Sequence, residues 1–328
     1  LNNKIDLLKA ESIGDLIHAE TELQRKQAIK LTQGNASDYY NQLREKLIKS
    51  LAYIEAKIDF AEDDLPDNVL KKVQVSILEV HSNIKKILQD QKIGEKIRDG
   101  FRVSIVGEVN AGKSSLLNLL SKRDVAIVSE EEGTTRDIIE TYLNLDGYPV
   151  IIADTAGIRE SKNEVEKKGI FLAITKSKES DLNIIMLDNT PHKIDSNIND
   201  LIDQDSIVVL NKCDINPKQN HNFEKVDHVL VSVKDNSNID LLIDKIKKKL
   251  SSKFINNENI LISRERHRIK LKACLKELDN FLAKDQTNDI EMAAEDLRLA
   301  TRQLGGIVGK VDVEEILGSI FKDFCIGK

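Results

Sequence analysis

Residues 107–115 read GEVNAGKSS and fit the pattern GxxxxGK[S/T], directly after the apolar run FRVSIV at 101–106. Each part of that pattern has a physical meaning. Glycine lets backbone N–H groups close round a chain of phosphates. The Lys113 ammonium reaches the β- and γ-phosphates, which places it among the catalytic groups, and the Ser114 hydroxyl is a Mg²⁺ ligand. The helix that follows turns the positive end of its dipole towards the anion. Asn110, Ala111, Gly112, Lys113, Ser114 and Ser115 are therefore the candidate phosphate-binding set. A strand–loop–helix unit is expected around them.

The same alternation continues downstream. IIETYLNL (138–145), VIIAD (150–154), LNIIML (182–187), SIVVL (206–210) and HVLVS (228–232) are short β-prone runs, with amphipathic segments such as 238–250 between several of them. Strands alternating with helices imply a mostly parallel sheet with helices on both faces. On either side of this zone the apolar period is helical. Leu43, Leu47, Leu51, Ile54 and Ile58 share one helix face, and after Pro66 the run Val69, Val73, Ile77, Val80, Ile84 and Ile87 repeats the pattern. Ile290, Ala294, Leu297, Ala300 or Thr301, and Leu304 do so again, with a shorter helix expected near 312–321. The fold class is α plus α/β, a helical bundle interrupted by an inserted phosphate-loop domain. The expected boundaries are 1–99 for the first helical part, 100–253 for the inserted domain and 254–328 for the second helical part.

Three further motifs bear on a nucleotide. DTAGI (154–158) closes a strand, where Asp154 holds Mg²⁺ directly or through water and the Gly157 N–H contacts a γ-phosphate. In many GTPases the next residue is a Gln that orients the attacking water. Here it is Ile158, which has no hydrogen-bonding side chain. NKCD (211–214) follows SIVVL about 100 residues past the phosphate loop. The Asp214 carboxylate can accept from guanine N1–H and its exocyclic amine, an arrangement adenine does not offer. Asn211 suits purine N7 or the surrounding loops, and the Lys212 stem lies along the base. Ser232, Val233 and Lys234 are expected to supply backbone donors near it. GTTRD (133–137) offers Thr134 and Thr135, with Thr135 a second Mg²⁺ ligand when GTP is bound. This stretch and 155–167 are the expected switch loops, ordered by the γ-phosphate.

Composition narrows the alternatives. The 328 residues exceed one ordinary domain. Aromatics at 4% and no Trp leave no stacking platform for single strands, and a net charge of −6 argues against strong non-specific attraction to a polyanion. Cys213, Cys274 and Cys325 form an odd, widely spaced set without CxxC, which points to a reducing, cytoplasmic compartment rather than a disulfide frame or zinc site. No apolar run approaches the ~18–20 residues that span a bilayer, so no membrane partner is expected. The chain opens at Leu1 within helical spacing, which suggests that an N-terminal part precedes it.

With NAGKSSLLNLL (110–120), GTTRD, DTAGIRE (154–160) and the terminal CIGK (325–328) in the order helices, G domain, helices, the chain resembles the MnmE (TrmE) family of tRNA-modification GTPases over essentially its whole length. The resemblance implies a Ras-like G domain inside a helical frame, and an N-terminal folate-binding domain that this stretch lacks. It also implies an answer for the water. GTPases of this family are activated by K⁺ and by homodimerisation of their G domains. Asn110 matches the K⁺-ligating Asn, with carbonyls of Ser129, Glu131 and Thr134 completing the site by alignment. Glu166, nine residues past Gly157, matches the catalytic Glu that positions water.

The resemblance further implies tRNA as substrate, an FAD-dependent partner, MnmG, and a 5-carboxymethylaminomethyl group made at U34. Cys325 would be an exposed thiol of the modification chemistry, or else part of a docking tail. An Era- or Der-like role in ribosome assembly is the alternative. RERHR (264–268) reads either as a basic RNA-facing stretch or as a solvated helix end.

Overall fold

A computed structural model describes residues 5–59, 69–108, 110–123, 126–127, 140–153, 175, 177–190, 194, 196–216, 223, 226–253, 260–285 and 289–310. The chain divides into two compact units. A helical unit comprises Leu1–Ala19, Arg25–Glu95 and Asn259–Lys328, and a sheet unit comprises Glu20–Gln24 and Lys96–Glu258.

In chain order, α1 (Leu7–Ile17), α2 (Glu22–Thr32), α3 (Asn35–Asp59) and α4 (Val69–Ile87) precede α5 (Ile93–Asp99), with Glu22–Gln24 of α2 and Lys96–Asp99 of α5 assigned to the sheet unit. The two long C-terminal helices of the described residues are Glu265–Ala283 and Ile290–Val308. The expected apolar faces form the core. Leu47, Leu51 and Ile54 of α3 pack with Val73, Ile77, Val80 and Ile84 of α4, and with Leu297, Ala300 and Leu304 from the last helix. Tyr40 is fully buried, and its hydroxyl donates to the Leu261 carbonyl at 3.0 Å. Burial drives that phenol well above its ordinary value. The helix predicted near 312–321 and Pro66 lie outside the described residues.

The sheet unit has seven strands among the described residues: β1 (Phe101–Gly107), β2 (Ala126–Ile127), β3 (Glu140–Leu145), β4 (Tyr148–Ala153), β5 (Leu182–Asp188), β6 (Ser206–Asn211) and β7 (His228–Leu230). Their order is β2-β3-β4-β1-β5-β6-β7. β1 pairs in parallel with β4 and β5, and β5–β6–β7 continue in parallel, whereas β2–β3 and β3–β4 are antiparallel. The sheet is therefore mostly parallel, as expected. β1, β5 and β6 are apolar almost throughout, the pattern of strands covered on both faces. α6 (Lys113–Arg123) packs on β1 and β3; α7 (Ser196–Asn199) and α8 (Ile239–Ser252) follow, α8 packing on β5 and β6. The two C-terminal helices are α9 (Glu265–Ala283) and α10 (Ile290–Val308).

A short segment from early in the chain completes the sheet unit. The Leu23 N–H donates to Gly147 O at 3.2 Å, and Asn144 Nδ2 donates to Glu20 O at 3.1 Å. Both contacts fasten the tip of the β3–β4 hairpin, which is also held by an ion pair from Lys247 of α8 to Asp146. Among the described residues no helix is long and apolar enough to cross a membrane.

Candidate nucleotide site

The phosphate loop leaves the carboxyl end of β1, where ligands gather on parallel sheets. Gly107 admits no side chain, because a Cβ there would stand 1.9 Å from Met186 O of β5. Gly112 has φ +100°, a left-handed conformation that disfavours any Cβ, and a Cβ would meet Asn211 Nδ2 at 2.5 Å. Asn110 is exposed at φ 60°. Ser114 and Ser115 are exposed on the first turn of α6, beside the N-terminal end of its dipole. The Lys113 ammonium donates to the carbonyls of Gly107 at 3.0 Å and Glu108 at 2.7 Å. Burial pulls its pKa down, and the nearby Glu108 carboxylate opposes that shift. A half-buried cation at the N-terminal end of a helix favours an anionic ligand.

NKCD closes β6 beside this loop. Asn211 is 5% exposed, and both ends of its amide are engaged. Its Nδ2 donates to Ala111 O at 2.8 Å, and its Oδ1 accepts from the Val233 N–H at 3.1 Å. Asn211 thus joins the phosphate loop to the segment 232–234. Bonds to the surrounding loops are one of its two sequence readings, and they use one of the two N–H groups of the amide. Ser232 is buried, its N–H donates to Ser237 O at 3.2 Å, and its Oγ accepts from the Asp235 N–H at 3.1 Å. Lys234 and Asp214 are exposed. Lys212 takes φ +66°, which lifts its side chain out of the strand direction, and its Nζ reaches Asp188 Oδ2 at 2.6 Å. Asp188 escaped sequence reasoning because a single Asp ending an apolar strand has no motif. The signal was its position, paired in register with Asn211.

Thr134, Thr135, Ser129, Glu131, Asp154, Gly157, Glu166 and Cys325 lie outside the described residues, as do both expected switch loops. Cys213 is half-buried, and burial raises its thiol pKa; the buried Cys274 is pushed up to about 12, again by burial.

RERHR has neither of its expected roles. His267 and Arg268 are 0% and 3% exposed. Arg268 makes a two-pronged bond to Glu95, both distances 2.7 Å, and a third to Asp90 at 2.7 Å. Arg264 Nη2 meets Asp15 Oδ1 at 2.5 Å. Arg266 grips Glu11 at 2.6 and 2.5 Å and donates to the carbonyls of Gly306 and Ile307, near the C-terminal end of α10. These arginines make their ion pairs and hydrogen bonds inside the helical unit. The physical reason is desolvation: Arg268 is buried against the buried Glu95, and Arg264 and Arg266 pair with the partly buried Asp15 and Glu11.

A phosphate loop tied through an Asn to a guanine-type motif, at the carboxyl edge of a mostly parallel sheet, defines a P-loop GTPase. The model of the MnmE helical domain matches residues 7–325. This chain belongs to the MnmE family. It is 59% identical over 328 residues to the tRNA modification GTPase MnmE of Pelagibacter ubique, covering 100% of this chain and 74% of that protein. It is 44% identical over 335 residues to the MnmE of Rickettsia bellii, with the same coverage of 100% and 74%. Among solved structures, the G domain of the T. maritima FeoB iron transporter is similar at 18% identity and TM-score 0.33, over 47% of this chain and 98% of that one.

Proposed function

We propose that this chain is a GTP-hydrolysing switch in tRNA wobble-uridine (U34) modification, working as a homodimer through its G domain at 100–253. The parts at 1–99 and 254–328 carry the movement towards the tail that bears Cys325. The chemistry at the uridine is shared with an FAD-dependent partner, MnmG, and with the folate-binding domain of the family.

Within the site, the backbone from Asn110 to Ser115 and the Lys113 ammonium bind the β- and γ-phosphates. Asp214 accepts two hydrogen bonds from guanine, and the Lys212 stem supports the base. Ser114, with Thr135 and Asp154, holds Mg²⁺, which supplies charge neutralisation between the phosphates. Asn110, with Ser129, Glu131 and Thr134, holds K⁺, which takes the place of an arginine finger. The fit of both cations is supported by the Ser114 and Asn110 side chains, each exposed beside the loop. Glu166 accepts from the attacking water or from a bridging water, a task Ile158 is unable to perform.

The observation that carries this reading is the 2.8 Å bond from Asn211 to Ala111 O, which sets the base-reading motif at a fixed distance from the phosphate loop. Asp214→Asn tests it. An amide presents an NH2 donor group in place of one acceptor oxygen, so GTP turnover should fall by roughly 100-fold, as expected for losing charged hydrogen bonds, while XTP becomes the better substrate. Unchanged GTP preference would refute the assignment.

A further inference from the structure

We propose that Asp188 is a positioning residue for purine recognition, holding the Lys212 side chain in the rotamer that receives the base. This rests on the nucleotide-binding reading above and adds to it a residue outside every motif.

Asp188 ends β5 directly beside Asn211 on β6, in parallel register. From there its Oδ2 accepts from Lys212 Nζ at 2.6 Å, with the two side chains 23% and 35% exposed. Its neighbour Asn189, fully buried, holds the backbone of the same loop. The Asn189 N–H donates to Asn211 O at 3.0 Å, and its Nδ2 donates to Asn216 O at 2.7 Å. Asn189 therefore fixes where the loop runs, and Asp188 fixes where its lysine points.

That lysine needs fixing. Lys212 sits at φ +66°, and the Ile215 and Asn216 N–H groups both donate to its carbonyl, at 3.0 and 3.1 Å, so its backbone is set. Its side chain keeps four rotatable bonds, and a flexible ammonium at this exposure loses conformational entropy whenever a ligand stills it. With Nζ already anchored, the methylene stem is a preformed shelf, and binding does not have to order it. The other carboxylate oxygen, Asp188 Oδ1, is buried without a hydrogen-bond partner. Leaving that acceptor unsatisfied is unfavourable for stability.

The test is equilibrium binding of GDP and IDP to the full chain and to Asp188→Ala, Asp188→Asn, Lys212→Ala and the Asp188→Ala/Lys212→Ala pair. IDP lacks the exocyclic amine that Asp214 reads, whereas the Lys212 shelf treats both bases alike. Asp188→Ala and Lys212→Ala are each expected to weaken both nucleotides about tenfold, the effect of one charge-assisted bond that orders a flexible side chain. The GDP-to-IDP ratio should hold, and the double variant should bind like either single one, since the two residues act as one unit. Asp188→Asn, which keeps the shape and an acceptor oxygen, should recover part of the loss and guards against misfolding of the alanine variant. Full affinity in Asp188→Ala, or losses that multiply in the double variant, would overturn the proposal. Failure of the unmodified chain to bind GDP would sink the nucleotide-binding reading itself, and this proposal with it.

Discussion

In the sheet unit, Asn110, Ser114, Ser115 and Asp214 stand exposed along one edge, while in the helical unit Arg268 and His267 are 3% and 0% exposed. The first group stands on the phosphate loop, the first turn of α6 and the segment after β6, which the buried Asn211 ties together. The second is met by carboxylates from distant parts of the chain, with Glu95 173 residues from Arg268 and Glu11 256 residues from His267. The exposed groups are available to a ligand, whereas Arg268 and His267 are spent on contacts inside the fold. The difference also explains why one cluster follows from spacing in the sequence and the other does not.

The contrast is most easily broken at Arg268. Arg268→Ala strands Glu95 and Asp90 without their cation, which should destabilise the helical unit by about 3–5 kcal/mol, measured by denaturant unfolding of the full chain. A loss below about 1 kcal/mol would mean that the cluster is as dispensable as a surface pair. Asn211→Ala comes next. It removes the tie between phosphate loop and guanine motif and should cost about 2 kcal/mol in stability, with GTP KM rising at least about tenfold. A fall in stability with KM unchanged would make Asn211 a fold residue, like Arg268.

Acidification sharpens the comparison further. Burial lowers the His267 pKa, although the Glu11 hydrogen bond opposes that shift, so the folded state keeps the ring neutral where the unfolded chain takes a proton. Burial would raise Glu11, but the hydrogen bonds from His267 and Arg266 outweigh it and hold the carboxyl at about 2. Both groups bind protons more readily when unfolded, so stability must fall with pH. The helical unit should lose stability just below 6.5 through His267, and again from 4.5 towards 2 through Glu11. Glu11→Gln should remove the lower step in a pH series of unfolding midpoints. The smallest effect belongs to Asn144→Ala, which frees the hairpin tip from Glu20 O and from the Gly147 N–H. It should cost about 1 kcal/mol, seen as a small drop in the midpoint of the sheet unit.

Much of this was legible beforehand. The strands β1 and β3–β7 were marked by apolar or β-prone runs, and α3, α4 and α10 by faces such as Leu47, Leu51 and Ile54, because burial leaves a local period in sequence. The two-residue β2 was not legible, being too short for any period. The misreading of RERHR has a physical cause. Whether an arginine faces water or a carboxylate depends on partners hundreds of residues away, and charge alone does not reveal them. The docking of Glu20–Gln24 on the β3–β4 hairpin was hidden likewise, since its bonds run largely through backbone groups that every residue carries.

The central claim is that a K⁺ site at Asn110, shared with a paired G domain, drives hydrolysis. It is tested most directly by the GTP hydrolysis rate at matched ionic strength in KCl and in NaCl, at low and high protein concentration. The account predicts a rate that rises with potassium and with concentration, both dependences being lost in Asn110→Ala. A rate indifferent to cation and concentration would contradict it, and would mean that water is handled within one copy of the chain.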